Sequence, residues 1–405
     1  MRSTTALRAI PTSAAEAVAR ERIRSLRGSQ IREIANAGMH DPDVLPFWFG
    51  EPDLVTPQFI RDAAIASIAR GETFYSQNFG IPELRSELAR YVTRLHGATD
   101  DDAIAVTASG MSALMLTVQA LVSPGDRVVV VTPLWPNLVE IPKIFSADVT
   151  CVPLQFGANG WTLDLDRLLD ALTPGTRALM VNAPNNPTGW TIDRAAQAAL
   201  LDHCDRLGIW IVADDVYERV FFDGDASCAP SFLDRADRDA RVVSTNSFSK
   251  AWLMTGWRLG WIVAPKALMP DLGKLIEYNT SCSPVFVQRA AVVALRDGEP
   301  TVDATRERLR RARNRLVDGL RTLPGVDVAP PAGAMYAFFR VDGVDDSMAF
   351  CRRLVTEAKL GLAPGRAFGP EGEGFVRWCF AASDERLDDG IARLARWGST
   401  SVFTC

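Results

Sequence analysis

The sequence predicts an α/β protein in which a large, mostly parallel seven-stranded sheet lies between helices and a smaller α+β domain packs beside it. Two patterns carry this. Between residues 103 and 264 short apolar runs alternate with helix-length segments, and several runs are nearly continuous in Val, Ile and Leu, as strands covered on both faces are. From about Thr301 the texture changes to a long, arginine-rich amphipathic stretch followed by a strand, a helix, a strand and a helix. A chain of 405 residues also exceeds a single typical core. The expected division is an N-terminal arm and part of the small domain in residues 1–50, a large domain in 51–290, and a small C-terminal domain in 291–405.

In chain order the strand candidates are residues 103–107, 127–132, 148–154, 177–182, 209–213, 241–245 and 259–264. Helix-length segments such as 111–122 and 192–207 separate most of them. Downstream, 301–323 reads as an amphipathic helix with one wet face, 336–341 as a strand, 347–358 as a helix and 374–380 as a strand. A last helix starts at Ser383, and the segment before about Gly50 is expected to join this smaller domain. No internal repeat or low-complexity linker stands out.

Composition narrows the function. A net charge of −5 offers no electrostatic footprint for nucleic acid or an anionic membrane, and no apolar run reaches transmembrane length. The seven cysteines are scattered without CxxC spacing, and with three histidines no zinc-ligand cluster is visible. Cysteines used as small buried hydrophobes fit a reducing compartment, so a cytoplasmic location is expected. The first fifteen residues hold two arginines, several Ser and Thr and no acid, as transit peptides do. The same lysine-poor, Ala/Arg-rich composition persists along the chain, which favours a mobile N-terminal arm.

Ligands of open α/β sheets gather at the carboxyl ends of the strands, and the chemistry-bearing residues fall there repeatedly. After Thr107 comes Ala108-Ser109-Gly110-Met111-Ser112, a small-residue loop opening a helix, whose N–H groups and dipole can face an anion. After the next such strand comes Asn182-Ala183-Pro184-Asn185-Asn186-Pro187-Thr188-Gly189, either an ordinary turn or a rigid mount for the Asn186 amide. After Ala213 comes Asp214-Asp215-Val216-Tyr217, where Asp214 can cap a helix or pair with a cationic ring nitrogen. Only five lysines occur, and one, Lys250, sits among small residues in Ser247-Phe248-Ser249-Lys250-Ala251-Trp252-Leu253-Met254-Thr255-Gly256-Trp257-Arg258. Most lysines are surface charges. An unprotonated one condenses with a carbonyl, and Ser247 and Arg258 can supply the hydroxyl and charge that a phosphate needs.

In order and spacing, Asn-Asn-Pro-Thr-Gly, Asp-Asp-x-Tyr and Ser-x-Ser-Lys…Gly-Trp-Arg resemble the pyridoxal-phosphate-dependent aminotransferases of fold type I, the class I/II aspartate aminotransferase superfamily. The likeness runs from Ile31-Arg32-Glu33-Ile34 to Arg377 and beyond. It implies that the large domain binds pyridoxal 5'-phosphate. By this resemblance Lys250 is the Schiff-base lysine and proton shuttle, Asp214 the carboxylate on the pyridine nitrogen, and Tyr217 and Asn186 the groups on the phenolic oxygen. Trp135, in Pro133-Leu134-Trp135-Pro136-Asn137, is similar to the aromatic that stacks on the ring, or else is a core or interface tryptophan. The phosphate cup would comprise Ser109, Gly110, Met111, Ser247 and Arg258. Tyr75 matches a tyrosine that reaches the neighbouring subunit's phosphate, which implies a homodimer with shared active sites. Arg377 resembles the clamp on the substrate α-carboxylate, with Gly50 approaching the same group through its backbone.

The substrate is written more faintly. Some relatives read acidic substrates with a lysine where this chain has Met111, and residues 277–283, where others place an arginine, contain no cation. An unpaired carboxylate in such a pocket is costly, so a neutral, apolar or aromatic side chain is expected. Two departures from the family pattern are Asp215, where glutamate is usual, and Asn182-Ala183-Pro184-Asn185, a shifted turn. Alternatives are another pyridoxal-phosphate reaction at Cα or Cβ (lyase, cyclase or oxidase) on the same scaffold, and a cofactor-sensing regulator. The short N-terminal arm leaves no room for the DNA-binding domain such regulators carry.

Overall fold

The structure, a computed structural model, describes residues 19–224 and 226–401. The arm expected at the first fifteen residues, with its transit-peptide-like composition, lies outside these, as does Cys405.

Seven strands form the main sheet, in the order Ile104–Thr107, Gly260–Val263, Val242–Ser247, Trp210–Asp214, Thr176–Asn182, Arg127–Thr132 and Asp148–Pro153. Only Gly260–Val263 runs antiparallel to its neighbours. The apolar runs therefore became strands, with boundaries moved by at most two residues. Successive residues divide between the two faces: Val129 and Val131 pack in one apolar cluster while Val128 and Val130 pack in the other. This period of two, buried on both sides, explains why the runs carry no polar alternation.

The helices flanking the sheet start and stop on local signals. Asp193 caps Arg194–Leu207 by accepting from the Ala195 and Ala196 amides, and Gly208, at φ 71°, ends it in the left-handed conformation. Four helices that periodicity did not single out, Gln58–Ala69, Pro82–His96, Met269–Asn279 and Val285–Asp297, complete the layers. Gln58–Ala69 packs on Val285–Asp297, whose Ala290, Ala291 and Ala294 are fully buried.

A second, four-stranded antiparallel sheet joins Val326–Asp327, Tyr336–Val341, Phe375–Cys379 and Ala363–Pro364. The long amphipathic helix spans Glu299–Arg321, two residues earlier than the pattern placed it. The expected helix 347–358 is an α-helix only over Ser347–Arg353. It widens into a π-turn at Leu354–Ala358 and stops at Lys359, φ 53°. The third apolar cluster combines this region with Ile31, Ile34, Phe47 and Trp48, and the Leu45–Pro46 strand pairs with Leu360–Gly361.

Candidate active site

The carboxyl ends of Thr176–Asn182, Trp210–Asp214 and Val242–Ser247 open into a cleft of about 550 Å³. Lys250, Asp214, Tyr217 and Asn186 line it, as do Trp135, Gly110 and Met111. Ser247, Arg258, Gly50 and Arg377 lie on the same wall, so eleven of the thirteen residues singled out in the sequence converge here. The other two do not. Ser109 is buried with its Oγ accepting from the Ser112 amide at 3.0 Å, as helix cap, and Tyr75 is 89% exposed.

Lys250 Nζ donates to the Gly50 carbonyl and lies 5.7 Å from the Tyr217 ring centroid. Gly50 has no alternative at this approach, because a Cβ there would meet Tyr336 Oη at 1.8 Å. Burial lowers the Lys250 pKa to about 8, with Arg377 and Arg258 adding to the shift against the pull of Cys379 and Glu51. Asp214 moves the other way. Burial, then the charge of Asp215, raise it to about 7, opposed by the Val216 amide and Lys250. No side chain among the described residues donates to its carboxylate.

The Tyr217 hydroxyl lies 2.6 Å from that of Tyr336, and burial followed by this neighbour holds Tyr217 well above the usual phenol range. Asn186 is mounted by its own amide on Asn182 Oδ1 at 2.8 Å, and Asn182 in turn donates to the Asp214 carbonyl at 3.0 Å. Its side-chain oxygen accepts from Arg377 Nη1 at 3.0 Å. Arg377 is 2% exposed, between the rings of Tyr336 and Phe368 at 4.4 and 4.9 Å. It also donates to the Trp48 carbonyl, yet its Nε has no partner and no carboxylate lies within ion-pair reach among the described residues.

At the start of Gly110–Leu121 the backbone turns against Ser247, so close that a Cβ on Gly110 would meet Ser247 Cβ at 3.0 Å. Ser247 Oγ lies 2.8 Å from Ser249 Oγ, and Arg258, at φ 54°, bonds the Thr255 carbonyl at 2.7 Å. Hydroxyls, free helix amides and a guanidinium thus surround one end of the cleft.

Several cleft residues were not singled out in the sequence. Ser249 sat inside the quoted lysine motif and Asn137 beside Trp135; Asn137 Nδ2 now reaches Met111 Sδ at 3.5 Å. Arg32, which entered only where the family likeness begins, lines the cleft with its guanidinium 4.7 Å from the Phe49 ring centroid. Tyr336 had no local signal.

A mostly parallel seven-stranded sheet, a second small sheet and a lysine facing a buried aspartate across a cleft define a fold-type I pyridoxal-phosphate enzyme. The comparisons narrow this. Residues 42–394 match the family model "Aminotransferase class I and II". An aspartate aminotransferase of Pyrococcus horikoshii is 33% identical over 93% of this chain and 96% of its own. An arginine–pyruvate transaminase of Pseudomonas aeruginosa is 35% identical over 87% and 89%. The solved Thermus thermophilus aspartate aminotransferase with maleate superposes with a TM-score of 0.87 at 30% identity, covering 94% of this chain and 99% of that one. The chain belongs to the class I and II aminotransferases. It is a pyridoxal-phosphate-dependent enzyme that transfers amino groups between amino acids and 2-oxo acids; the lyase, cyclase and oxidase alternatives are not favoured.

Proposed function

We propose that the enzyme moves the amino group of an L-amino acid with a neutral or aromatic side chain to a 2-oxo acid, in two half-reactions at this cleft. The donor set supports holding the cofactor here: an amine able to bond its aldehyde carbon at Lys250, a buried carboxylate without a side-chain donor at Asp214, and hydroxyls and a guanidinium for its phosphate at Ser247, Ser249 and Arg258. Ser109 serves that cup by setting the helix start, while Gly110 and Met111 offer amides. Bound there, the cofactor supplies an electron sink for the charge left at the substrate Cα. Asp214 would hold a proton and positive charge on the ring nitrogen, and Tyr217 and Asn186 would bond its phenolic oxygen. Trp135 would cover the ring face. Lys250, which burial pushes toward neutrality with a pKa of about 8, would remove the Cα proton. Arg377, a buried guanidinium with an unpaired Nε, clamps the α-carboxylate, with the Gly50 backbone alongside.

The observation that carries the substrate reading is Met111 against Asn137 in the cleft, an apolar and amide lining instead of a cation. Arg32 favours a second component. It sits at the cleft over Phe49, exposed and without an acidic partner among the described residues, and fits a dicarboxylic 2-oxo acid as acceptor. Relatives named for aspartate, arginine and aromatic substrates are compatible with either. Mixing the holoenzyme with single amino acids and following loss of the bound-cofactor absorbance tests the donor side. Faster conversion by phenylalanine or leucine than by aspartate is expected, and a clear preference for aspartate overturns the reading.

Two features support a homodimer. Phe74 and Tyr75 are 83% and 89% exposed, and Val55, Ile65 and Ile68 add apolar surface nearby in the chain. In a dimer Tyr75 reaches the partner's phosphate cup. Six free cysteines among the described residues fit a reducing, cytoplasmic location, and no described helix is long and apolar enough to cross a membrane.

A further inference from the structure

The segment after Trp210–Asp214 has two functional faces. Asp214 and Tyr217 look into the cleft, whereas Asp215, Glu218 and Arg219 point behind it into a buried polar cluster. At the centre of that cluster is His96, the last residue of the helix Pro82–His96, whose side chain is 2% exposed. Its Nε2 lies 2.9 Å from Glu218 Oε2 and its Nδ1 lies 2.7 Å from Asp234 Oδ1. Both ring nitrogens face carboxylates, so both must donate and the ring carries a proton more than a neutral imidazole. Burial opposes that charge, but the bonds to Asp234 and Glu218 outweigh it and raise the His96 pKa to about 10.

Glu218 ties this cation to the cofactor-facing segment, while Arg238 faces Asp234 and bonds the His96 carbonyl from the other side. Glu218 Oε1 accepts from the Tyr91 hydroxyl at 2.9 Å, and its amide donates to the Asp215 carbonyl at 2.8 Å. Asp215 Oδ2 accepts from Ser244 at 2.6 Å and Ser231 at 3.1 Å. Asp234 is closed from outside by Arg194 at 2.7 Å. On the remaining side Arg219 lies over the Tyr91 ring and pairs with Glu299. Asp215 and Glu218 are thus buried carboxylates, the Asp234 side chain is largely covered, and His96 is the buried cation between Glu218 and Asp234. Without it, burial of those charges is costly.

We propose that His96 is a positioning residue for the reaction: clamped between Glu218 and Asp234, it holds the back of the segment and thereby sets the place and charge of Asp214 and Tyr217 against the cofactor. This rests on the reading of Asp214 given above. It also gives a physical reason for Asp215, whose short side chain reaches Ser244 and Ser231.

The test uses holoenzyme of wild type, His96→Gln, Glu218→Gln and Asp214→Asn, with the bound-cofactor absorbance titrated against pH and kcat and KM measured separately. Removing a cation behind Asp214 favours the protonated chromophore. H96Q is therefore expected to raise the spectral midpoint by about half a pH unit or more, and to lower kcat about tenfold with little change in KM. E218Q removes an acid from the same cluster, keeps an amide oxygen for His96, and is expected to shift the midpoint downward. Unmoved midpoints in both H96Q and E218Q, beside a shifted D214N, overturn the proposal alone, even where thermal stability falls. An unmoved midpoint in D214N overturns the reading of Asp214 and this proposal with it. Should H96Q not fold, the direction of the E218Q shift decides: downward supports the proposal, and no shift or an upward one overturns it.

Discussion

At Lys250 and Asp214 burial acts on opposite charges. The amine is pushed toward neutrality, to about 8, and the carboxyl toward protonation, to about 7. For Asp214 the folded-state value lies above the unfolded one, so stability is fully present below about pH 4 and is lost as pH rises through 7. Asp214→Asn is therefore expected to raise the melting temperature of the cofactor-free protein at pH 8 by about 2–4 °C, with no gain at pH 4.5. The same variant retains cofactor poorly in dialysis. Lys250→Ala is expected to abolish the borohydride-reducible bond to the cofactor, read by mass; a retained link would falsify the lysine's assignment. Arg377→Lys keeps a charge but loses the fork, and a rise in KM of about tenfold or more for every amino acid is expected in steady-state kinetics.

At the scale of elements, the loop into Gly110–Leu121 joins two functions in one turn. On the proposed reading its first amides and Ser247 would seat the phosphate, while the Met111 side chain faces Asn137 in the same cleft. Met111→Lys is accordingly expected to raise kcat/KM for aspartate about tenfold relative to phenylalanine, measured by competition, because it gives a distal carboxylate a cation. The sheet was legible because strands buried on both faces appear as continuous Val/Ile/Leu runs, and Arg127–Thr132 matched to the residue. Val285–Asp297 and Gln58–Ala69 were not legible, since their low-contrast, alanine-rich faces pack on one another and give no clear stripe. The helix expected over 347–358 kept its extent but not its type, because the π-turn is set by packing around buried Leu354 and Val355, not by propensity.

For the whole molecule, the cleft is assembled from both sheets and from residues around and before Gly50. Exposed Tyr75 lies outside it. If it completes the partner's phosphate cup, mixing and refolding inactive Lys250→Ala with impaired Tyr75→Ala is expected to restore activity in about a quarter of sites, because a hybrid dimer holds one intact site. No recovery above the unmixed Tyr75→Ala level argues against shared sites.

What the sequence by itself determined was the parallel sheet and the cofactor class, and it singled out Lys250 as the lysine proposed to react. These rest on period-two burial and on motifs a few residues long, which survive without knowledge of neighbours. Only the tertiary structure decided which distant groups meet: Lys250 with the Gly50 carbonyl across 200 residues, Arg377 with Asn186 across 191, Tyr217 with Tyr336 across 119 and His96 with Glu218 across 122. It also decided the directions in which Lys250, Asp214 and His96 shift from their ordinary pKa values. Ionisation follows burial and the charges facing a group, and both are properties of the packed chain.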